Sequence, residues 1–318
     1  MAVFLFYRIF AFALTLFIAS FAIFLLLDIL PGDPARFILG INASEQSVNV
    51  LREQMGLNLS FFERFFNWVG GVFIGDFGIS HSQNEAVLDL IKTRMLVSFP
   101  LAFFAMVIAI LIGLPIGIIA AKKYGKASDS FLMTLAQVGV AIPNFWFGML
   151  LVLFFAVTLG WLPTGGFINW NESFFGAIKS LILPSIALAL PQAAILARVM
   201  RTALVDVSNL DYIRTARAKG LTKSQAILRH GVPNAMLPVL TILGLQFAFL
   251  IAGTIIVENV FYLPGLGKLI FTAISERDLI LVRGALIILI IAISFIMLFV
   301  DLLYAIVDPR LSVRGRNE

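Results

Sequence analysis

The part of the sequence best suited to polar chemistry is a basic segment, residues 204–238, which lies between two long apolar stretches. Its cations are spaced to make ion pairs and charge-assisted hydrogen bonds with acidic groups. They are Arg214, Arg217, Lys219, Lys223 and Arg229. Such a segment would dock on a soluble protein, or it would be attracted to anionic lipid. The residues alone leave both interpretations open.

The basic segment has the signals of two short helices. Asp211 follows Ser208 by three residues, which is a helix-start pattern, and Gly220 stands where a helix would end in a left-handed residue. Thr222 and Gln225 have the spacing of a capping box.

The capping box predicts that the second helix begins at Lys223. Gly231 and Pro233 are predicted to close it after about two turns. A helix this short is marginal in water, so it must pack against something to be stable.

Few other residues could carry chemistry. The chain has no cysteine, which excludes disulfides and thiolate metal sites, and its two histidines, His81 and His230, are too few for a histidine-rich metal site. It has no His-Glu-x-x-His motif, and the run 265–268, Gly-Leu-Gly-Lys, lacks the spacing of a phosphate-binding loop. We therefore predict a protein that is not an enzyme, does not hydrolyse ATP itself and needs no cofactor.

Composition indicates an integral membrane protein. Hydrophobic residues make up 60% of the chain and charged residues 13%, whereas soluble domains carry about 25% charged residues. Asp, Glu, Lys and Arg are absent from 9–27, 95–121, 130–171, 180–197, 230–257 and 284–300. A crossing needs roughly 20 apolar residues. We predict an all-α protein with transmembrane helices at about 9–30, 95–121, 129–159, 178–203, 236–258 and 284–307.

Lys and Arg report topology in such a protein. With six helices both termini lie on one side, and the short segments on that side hold more Lys and Arg than those on the other. This predicts cytoplasmic termini and a cytoplasmic basic segment. The net charge of +5 is accounted for in the same way, so no nucleic-acid binding is expected. The first helix is expected to be retained, because no small-residue cleavage site follows it.

Residues 31–94 are predicted to lie outside the cytoplasm. Within them Phe61, Phe65 and Trp68 share one helical face, which predicts an amphipathic helix in the outer membrane interface. In the second transmembrane helix, the spacing of Gly113 and Gly117 predicts a close contact with another helix, and Pro115 between them predicts a kink as well.

Polar side chains inside apolar helices usually face the bundle interior. The amides that could line a polar path, or make interhelical hydrogen bonds, are Gln137, Asn144, Gln192 and Gln246. Asp301 would either pair with Arg310 or a neighbouring helix, or take part in gating. No acidic residue lies at the centre of a predicted helix, which argues against an ion-coupled transporter or channel that works alone.

Residues 214–233 resemble the "EAA" loop of binding-protein-dependent ABC importer permeases, whose pattern is Glu-Ala-Ala-x3-Gly-x9-Ile-x-Leu-Pro. Ala216, Gly220 and Pro233 keep their places in it. The positions that depart from the pattern are similar to the dipeptide/oligopeptide/nickel branch: Arg214, Thr215, His230 and Val232. Further stretches similar to that branch are 30–35, 51–57, 75–78, 141–146, 260–267, 277–278, 301–304 and 308–310. Met297 stands where that branch usually has Asn.

The resemblance implies a type I importer permease with the MetI-like fold in a bacterial inner membrane. It implies a second permease subunit, here a distinct homologue, with two cytoplasmic ATPase subunits and an extracytoplasmic substrate-binding protein. Separate ATPases would drive alternating access. The branch carries dipeptides, oligopeptides, glutathione or nickel complexes, and the resemblance favours a dipeptide or oligopeptide here. The residues implied to couple to the ATPase are Arg214, Ala216, Arg217, Lys219, Gly220, Arg229, His230 and Pro233.

The predicted organisation follows from these elements. It comprises an N-terminal transmembrane helix (1–30), an extracytoplasmic segment (31–94), a permease core (95–308) and a cytoplasmic tail (309–318). The core contains a cytoplasmic coupling segment at 204–235.

Overall fold

The structure is a computed structural model that describes residues 2–29, 32–40 and 42–307. These residues are almost entirely helical, with one isolated β-bridge between Ile79 and Ala86. The helices are α1 Ala2–Ile29, α2 Pro34–Leu39, α3 Glu45–Gln54, α4 Phe61–Ile74, α5 Val87–Lys122, α6 Ala127–Ala141, α7 Asn144–Leu151, α8 Phe174–Ser208, α9 Asp211–Ala218, α10 Lys223–Ala226, α11 Val232–Val260, α12 Leu266–Ser275 and α13 Leu279–Val307. Two π-helical segments, Val152–Thr158 and Ile227–Gly231, follow α7 and α10.

In the described part of the chain, five helical segments are long and apolar enough to cross a membrane, and α6 with α7 makes a sixth if that bent pair is one span. The long helices extend past the predicted charge-free windows. The α5 helix, for example, begins at Val87 and includes Asp89, Lys92 and Arg94. A charge-free window marks only the part of a helix that fits the hydrocarbon, so the charged ends were not predicted.

The single helix predicted at 129–159 is wrong. The chain leaves the helix at Ile142 (φ −77°, ψ 124°) and Pro143 (φ −63°, ψ 132°), and the two halves meet at 96°. A proline ring disfavours the helical conformation of the residue before it, so the helix ends before Pro143 and restarts at Asn144.

The chain divides into two compact units. The first unit comprises residues 1–4, 97–264 and 296–318, and the second comprises 5–96 and 265–295.

In the first unit α8 is the helix with the most buried side chains, and it packs on α6, α7 and α11. Gly113 and Gly117 of α5 also lie against it. A Cβ atom added at Gly117 would come within 2.5 Å of the Ala197 carbonyl oxygen. The close contact predicted from the glycine spacing is confirmed.

In the second unit the aromatic face of α4 packs on α1. Phe65 is 1% exposed, and its ring centroid lies 5.5 Å from that of Phe24 on α1. Phe61 and Trp68 lie 5.2 and 5.7 Å from the same ring. Aromatic side chains of α1 therefore cover this face, and the position of α4 in the outer membrane interface stays a prediction. The opposite face of α4 carries the exposed side chains, among them Phe62.

A buried carboxylate, Asp278, fixes the loop before α5 in the second unit through hydrogen bonds. Asp278 is 2% exposed, and it accepts hydrogen bonds from the hydroxyls of Ser80 (2.7 Å) and Ser82 (3.0 Å). It also accepts from the backbone N–H groups of Ser82 and Leu281, at 3.0 Å each. Burial alone would raise the pKa of Asp278, but these hydrogen bonds outweigh it and hold the pKa below its ordinary value.

Candidate coupling segment and membrane interior

The first helix of the basic segment is α9. Its N-cap, Leu210, has no side-chain hydrogen bond, and the Ser208 hydroxyl instead donates to the Val205 carbonyl at 2.8 Å. The predicted start signal at Ser208 is therefore wrong, because that hydroxyl bonds within the last turn of α8. The predicted left-handed residue after α9 is confirmed, since Gly220 has φ +95°. A residue with a side chain would be strained there.

The second helix begins as predicted. The Thr222 hydroxyl accepts from the Gln225 N–H at 3.3 Å, and the Thr222 N–H donates to the Gln225 Oε1 at 3.0 Å. These two bonds complete the capping box and place the start of α10 at Lys223.

The predicted end of that helix is wrong. At Ile227–Gly231 the chain passes through a π-helical turn and enters α11 without leaving the helical conformation, so Lys223–Val260 is one continuous segment. Pro233 lies in the first turn of α11. A proline in a regular helix lacks a donor and clashes with the carbonyl four residues earlier, and the wider π turn accommodates both defects.

A small apolar core joins the two helices of the basic segment. Ile213, Ala216 and Ala226 are buried together, with Val207 and Leu221 packed against them. Ala216 is thus a packing residue that holds α9 to α10. The fixed shape of the segment comes from this core and from its continuity with α11.

The cations of the basic segment point to solvent. Arg214, Arg217, Lys219 and Arg229 are exposed. Arg214 pairs with Asp211 at 3.2 Å, but both side chains are so exposed (74% and 93%) that the pair is weak.

Other predicted coupling residues differ in exposure. His230 is half-buried, and its carbonyl accepts from the Asn234 side chain at 2.8 Å. Pro233 is exposed. Apolar side chains add to this surface, with Leu210 49%, Tyr212 39% and Leu228 48% exposed. The surface can therefore make both ionic and apolar contacts.

Sequence reasoning missed an ion pair near the basic segment. Asp129 at the start of α6 is 2% exposed, and Arg201 in the last part of α8 donates to both its oxygens at 2.7 Å. The Gly125 N–H donates to the same carboxylate at 3.1 Å, and the Tyr124 ring lies 5.0 Å from the guanidinium. These contacts tie α8 to the turn before α6.

The amides predicted inside the membrane have different surroundings. Gln246 is 3% exposed, and its Nε2 donates to the Gln192 backbone carbonyl at 3.4 Å, which joins α11 to α8. Its Oε1 is buried without a hydrogen-bond partner in the described residues. Gln192 and Asn144 are half-buried and Gln137 is exposed.

Two carboxylates lie near the ends of the long helices. Glu258 on α11 is fully buried and accepts from the Ser98 hydroxyl on α5 at 2.5 Å, a contact that sequence reasoning missed. Asp301 on α13 is half-buried, and its predicted partner Arg310 lies outside the described residues, as does the tail 309–318.

The described residues combine apolar spans with an exposed basic segment, an arrangement that fits a subunit of a membrane assembly. The chain belongs to the family described as "Binding-protein-dependent transport system inner membrane component", which matches residues 113–313. Its N-terminal companion family, "Binding-prot-dependent transport system membrane comp, N-term", matches residues 1–102. The predicted family is therefore confirmed. The protein is a permease subunit of an ABC importer, not an enzyme.

Curated relatives and solved structures agree with this result. The chain is 41% identical over 295 residues to the "Glutathione transport system permease protein GsiC" of Escherichia coli (strain K12), covering 93% of this chain and 94% of that one. The same values hold for the protein of that name in Shigella dysenteriae serotype 1 (strain Sd197). A structure titled "Inward facing conformations of the MetNI methionine ABC transporter" matches with TM-score 0.58 at 18% identity, covering 69% of this chain and 96% of that one. This likeness shows the MetI-like fold.

Proposed function

We propose that this permease imports a short peptide or a peptide-like compound such as glutathione, and that its basic segment docks on a cytoplasmic ATPase subunit. The substrate class is supported by the 41% identical relatives named for glutathione transport. The docking role is supported mainly by one observation. The exposed cations lie on a segment of fixed shape that continues directly into a membrane-spanning helix.

The assembly follows from the family. The pathway is formed with a second permease, which we propose is a distinct homologue, and two ATPase subunits bind on the cytoplasmic side. A substrate-binding protein delivers the substrate on the other side. The protein lies in the inner membrane with both termini in the cytoplasm. Residues 31–94 are then extracytoplasmic, and residues 204–235 form the cytoplasmic coupling segment.

Each coupling residue has a role in this proposal. Arg217, Lys219 and Arg229 make polar contacts with the ATPase, and Arg214 and His230 border them. Ala216 holds the two helices together, while Gly220 and Pro233 shape the turn and the entry into α11. The amides Gln137, Asn144 and Gln192 face the translocation path in this proposal, whereas Gln246 is buried and joins α11 to α8.

Alternating access then has a direct mechanical basis. When the ATPase subunits close, they displace the docked segment, and α11 moves with it because no loop intervenes. The displacement shifts the transmembrane helices between inward-facing and outward-facing arrangements.

The docking role is tested by Gly220→Asp and by deletion of residues 222–230. Either change should abolish transport and co-purification of the ATPase, while membrane insertion is kept. Gly160→Asp is the matched control, because Gly160 also has positive φ (+65°) and open space around it but lies outside the basic segment. Normal ATPase co-purification with Gly220→Asp would refute the docking role.

Orientation is tested separately. The chain has no cysteine, so a single Lys219→Cys change gives a unique label site. An impermeant thiol reagent should label it in inverted vesicles but not in intact cells. Labelling of intact cells would overturn the topology.

Uptake assays test the substrate and the dependence on ATP. Proteoliposomes that contain the whole transporter and its binding protein should accumulate labelled glutathione or dipeptide only with ATP. Uptake by the permeases alone would instead favour a transporter that works without an ATPase.

A further inference from the structure

The second unit contains a polar cavity of about 410 Å³ that the transport mechanism does not use. Its volume falls in the range of ligand cavities, roughly 300–1,000 Å³. Its walls carry three cations, Arg52, Arg64 and Arg283, and two carboxylates, Asp28 and Asp33. The lining therefore has one positive charge in excess.

Arg283 supplies the excess charge. Arg64 makes two hydrogen bonds to Asp28, at 2.6 and 3.1 Å, and Arg52 lies 2.7 Å from Asp33. Arg283 has no ion pair with any residue that the structure describes; its guanidinium lies 4.3 Å from the centroid of the Phe24 ring. A cation held against an aromatic face beside a cavity is placed to receive an anion.

Unsatisfied polar atoms concentrate on this cavity. Across the described side chains, five buried nitrogen or oxygen atoms lack a hydrogen-bond partner, and three of them belong to its lining. They are the Nε atoms of Arg64 and Arg283 and the Oδ2 atom of Asp33, which meets Arg52 at ion-pair distance without hydrogen-bond geometry. Buried polar atoms are normally satisfied, so the two Nε donors indicate a missing acceptor.

A second, apolar cavity of about 240 Å³ adjoins the first. The two share the wall residues Leu27, Gly32, Pro34 and Leu279. The rest of its wall is Phe37, Ile274, Val282 and one cation, Arg277, whose guanidinium lies 4.3 Å from the centroid of the Phe37 ring. A basic cavity that continues into an apolar one fits an amphiphile with an anionic head.

We propose that these joined cavities bind a membrane phospholipid. Its phosphate lies against Arg283 and Arg64, and an acyl chain begins in the apolar cavity. The cavity lies at the depth of a lipid headgroup, because Asp28 is next to the end of the span Phe6–Ile29 and Arg283 lies in the first turns of the span Leu279–Leu302. The proposal goes beyond peptide import and rests on the proposed topology only in placing the lipid in the outer leaflet.

The test is native mass spectrometry of the complete transporter purified from membranes in mild detergent. We expect one retained phospholipid that depends on Arg283. Arg283→Gln should lower its occupancy about tenfold, and Arg283→Lys should retain part of it because the charge remains. Lys92→Gln is the control, since it removes an exposed cation of the same unit that lines neither cavity.

A second variant tests the role of the apolar cavity. Ile274 is 58% exposed at the rim, so Ile274→Trp should fill the cavity without disturbing the core. It should release the lipid while leaving every charge in place, and it remains informative if the Arg283 variants do not assemble.

Three results would overturn the proposal. The first is unchanged lipid occupancy in Arg283→Gln or Ile274→Trp. The second is displacement of the lipid by millimolar inorganic phosphate alone, which would indicate a simple anion site. The third is a bound mass that corresponds to a peptide. None of these results bears on ATPase docking, which the Gly220 variants test independently.

Discussion

The contact between α5 and α8 gives a prediction that can be worked out in detail. A Cβ atom at Gly117 would lie 2.5 Å from the Ala197 carbonyl oxygen, and one at Gly113 would lie 2.5 Å from the Ala193 carbonyl oxygen. Ordinary contacts begin at 3.4 Å, so an alanine at either position requires the helices to separate locally by about 0.9 Å. The nearest atoms on α8 are backbone carbonyl oxygens, so no flexible side chain can move aside to make room for the added methyl group.

The expected cost follows from this geometry. Overpacking of a tight contact costs about 1–3 kcal/mol, and the gain in helix propensity from Gly to Ala offsets up to about 1 kcal/mol of it. We expect Gly117→Ala to lower the free energy of unfolding by about 1 kcal/mol net, and Gly113→Ala by a similar amount. The double variant should cost less than the sum, because the first alanine already separates the helices.

The assay is unfolding of the purified subunit by titration with a denaturing detergent, followed by circular dichroism. Gly253→Ala in α11 is the matched control, since the nearest atom to its added Cβ is 4.0 Å away, and it should be neutral or slightly stabilising. Equal stability of the Gly117 and Gly253 variants would refute the claim that α5 and α8 meet through their backbones.

Three further predictions concern polar contacts. Asp278→Asn should cost about 1–3 kcal/mol and expose residues 78–86 to added protease, because the serine donors lose part of their acceptor. Since hydrogen bonds hold the pKa of Asp278 below its ordinary value of 3.8, the stabilisation is complete above that value and is lost as the pH falls through the lower, folded pKa. Protection of the wild-type loop should thus be constant from about pH 5 to 8, and a loss within that range would contradict the argument. Arg201→Lys should lower the free energy of unfolding by about 1–3 kcal/mol in the same assay, because Lys cannot bind both oxygens of Asp129. The control, Arg198→Lys, changes an exposed arginine and should have little effect. Thr222→Ala should lower the free energy of unfolding by about 1 kcal/mol through loss of the cap, and it should weaken ATPase binding in a pull-down. Ser224→Ala is the control and should do neither. Equal binding by the two variants would show that the cap has no role in docking.

The features predicted correctly from the sequence are those with local causes. The left-handed Gly220 and the capping box of Thr222 and Gln225 each depend on a few neighbouring residues. The spacing of Gly113 and Gly117 likewise marks a surface for close approach, although it does not identify α8 as the partner. Local stereochemistry decides such features, so a single sequence contains the necessary information. The family resemblance added the fold and the kind of assembly.

The contacts that were missed depend on tertiary packing, whereas the helix ends predicted wrongly have local causes. Pro143 breaks its helix whereas Pro233 does not, because a π turn accommodates the second proline. The bond between Ser80 and Asp278 joins residues 198 positions apart, and no pattern along the chain indicates it. The same holds for Arg201 and Asp129, which are 72 positions apart.

The uninterrupted run from Lys223 to Val260 has a consequence for timing within the cycle. At 1.5 Å per residue its 38 residues measure roughly 57 Å, more than the thickness of a bilayer. No loop interrupts this run, so a displacement at Lys223 is carried along the helix to the buried ring of Phe261 that follows it, with the π turn and Pro238 as the points where the helix would bend. Events at the two membrane surfaces should therefore be synchronous, and fluorophores attached at both tips would report one relaxation rate.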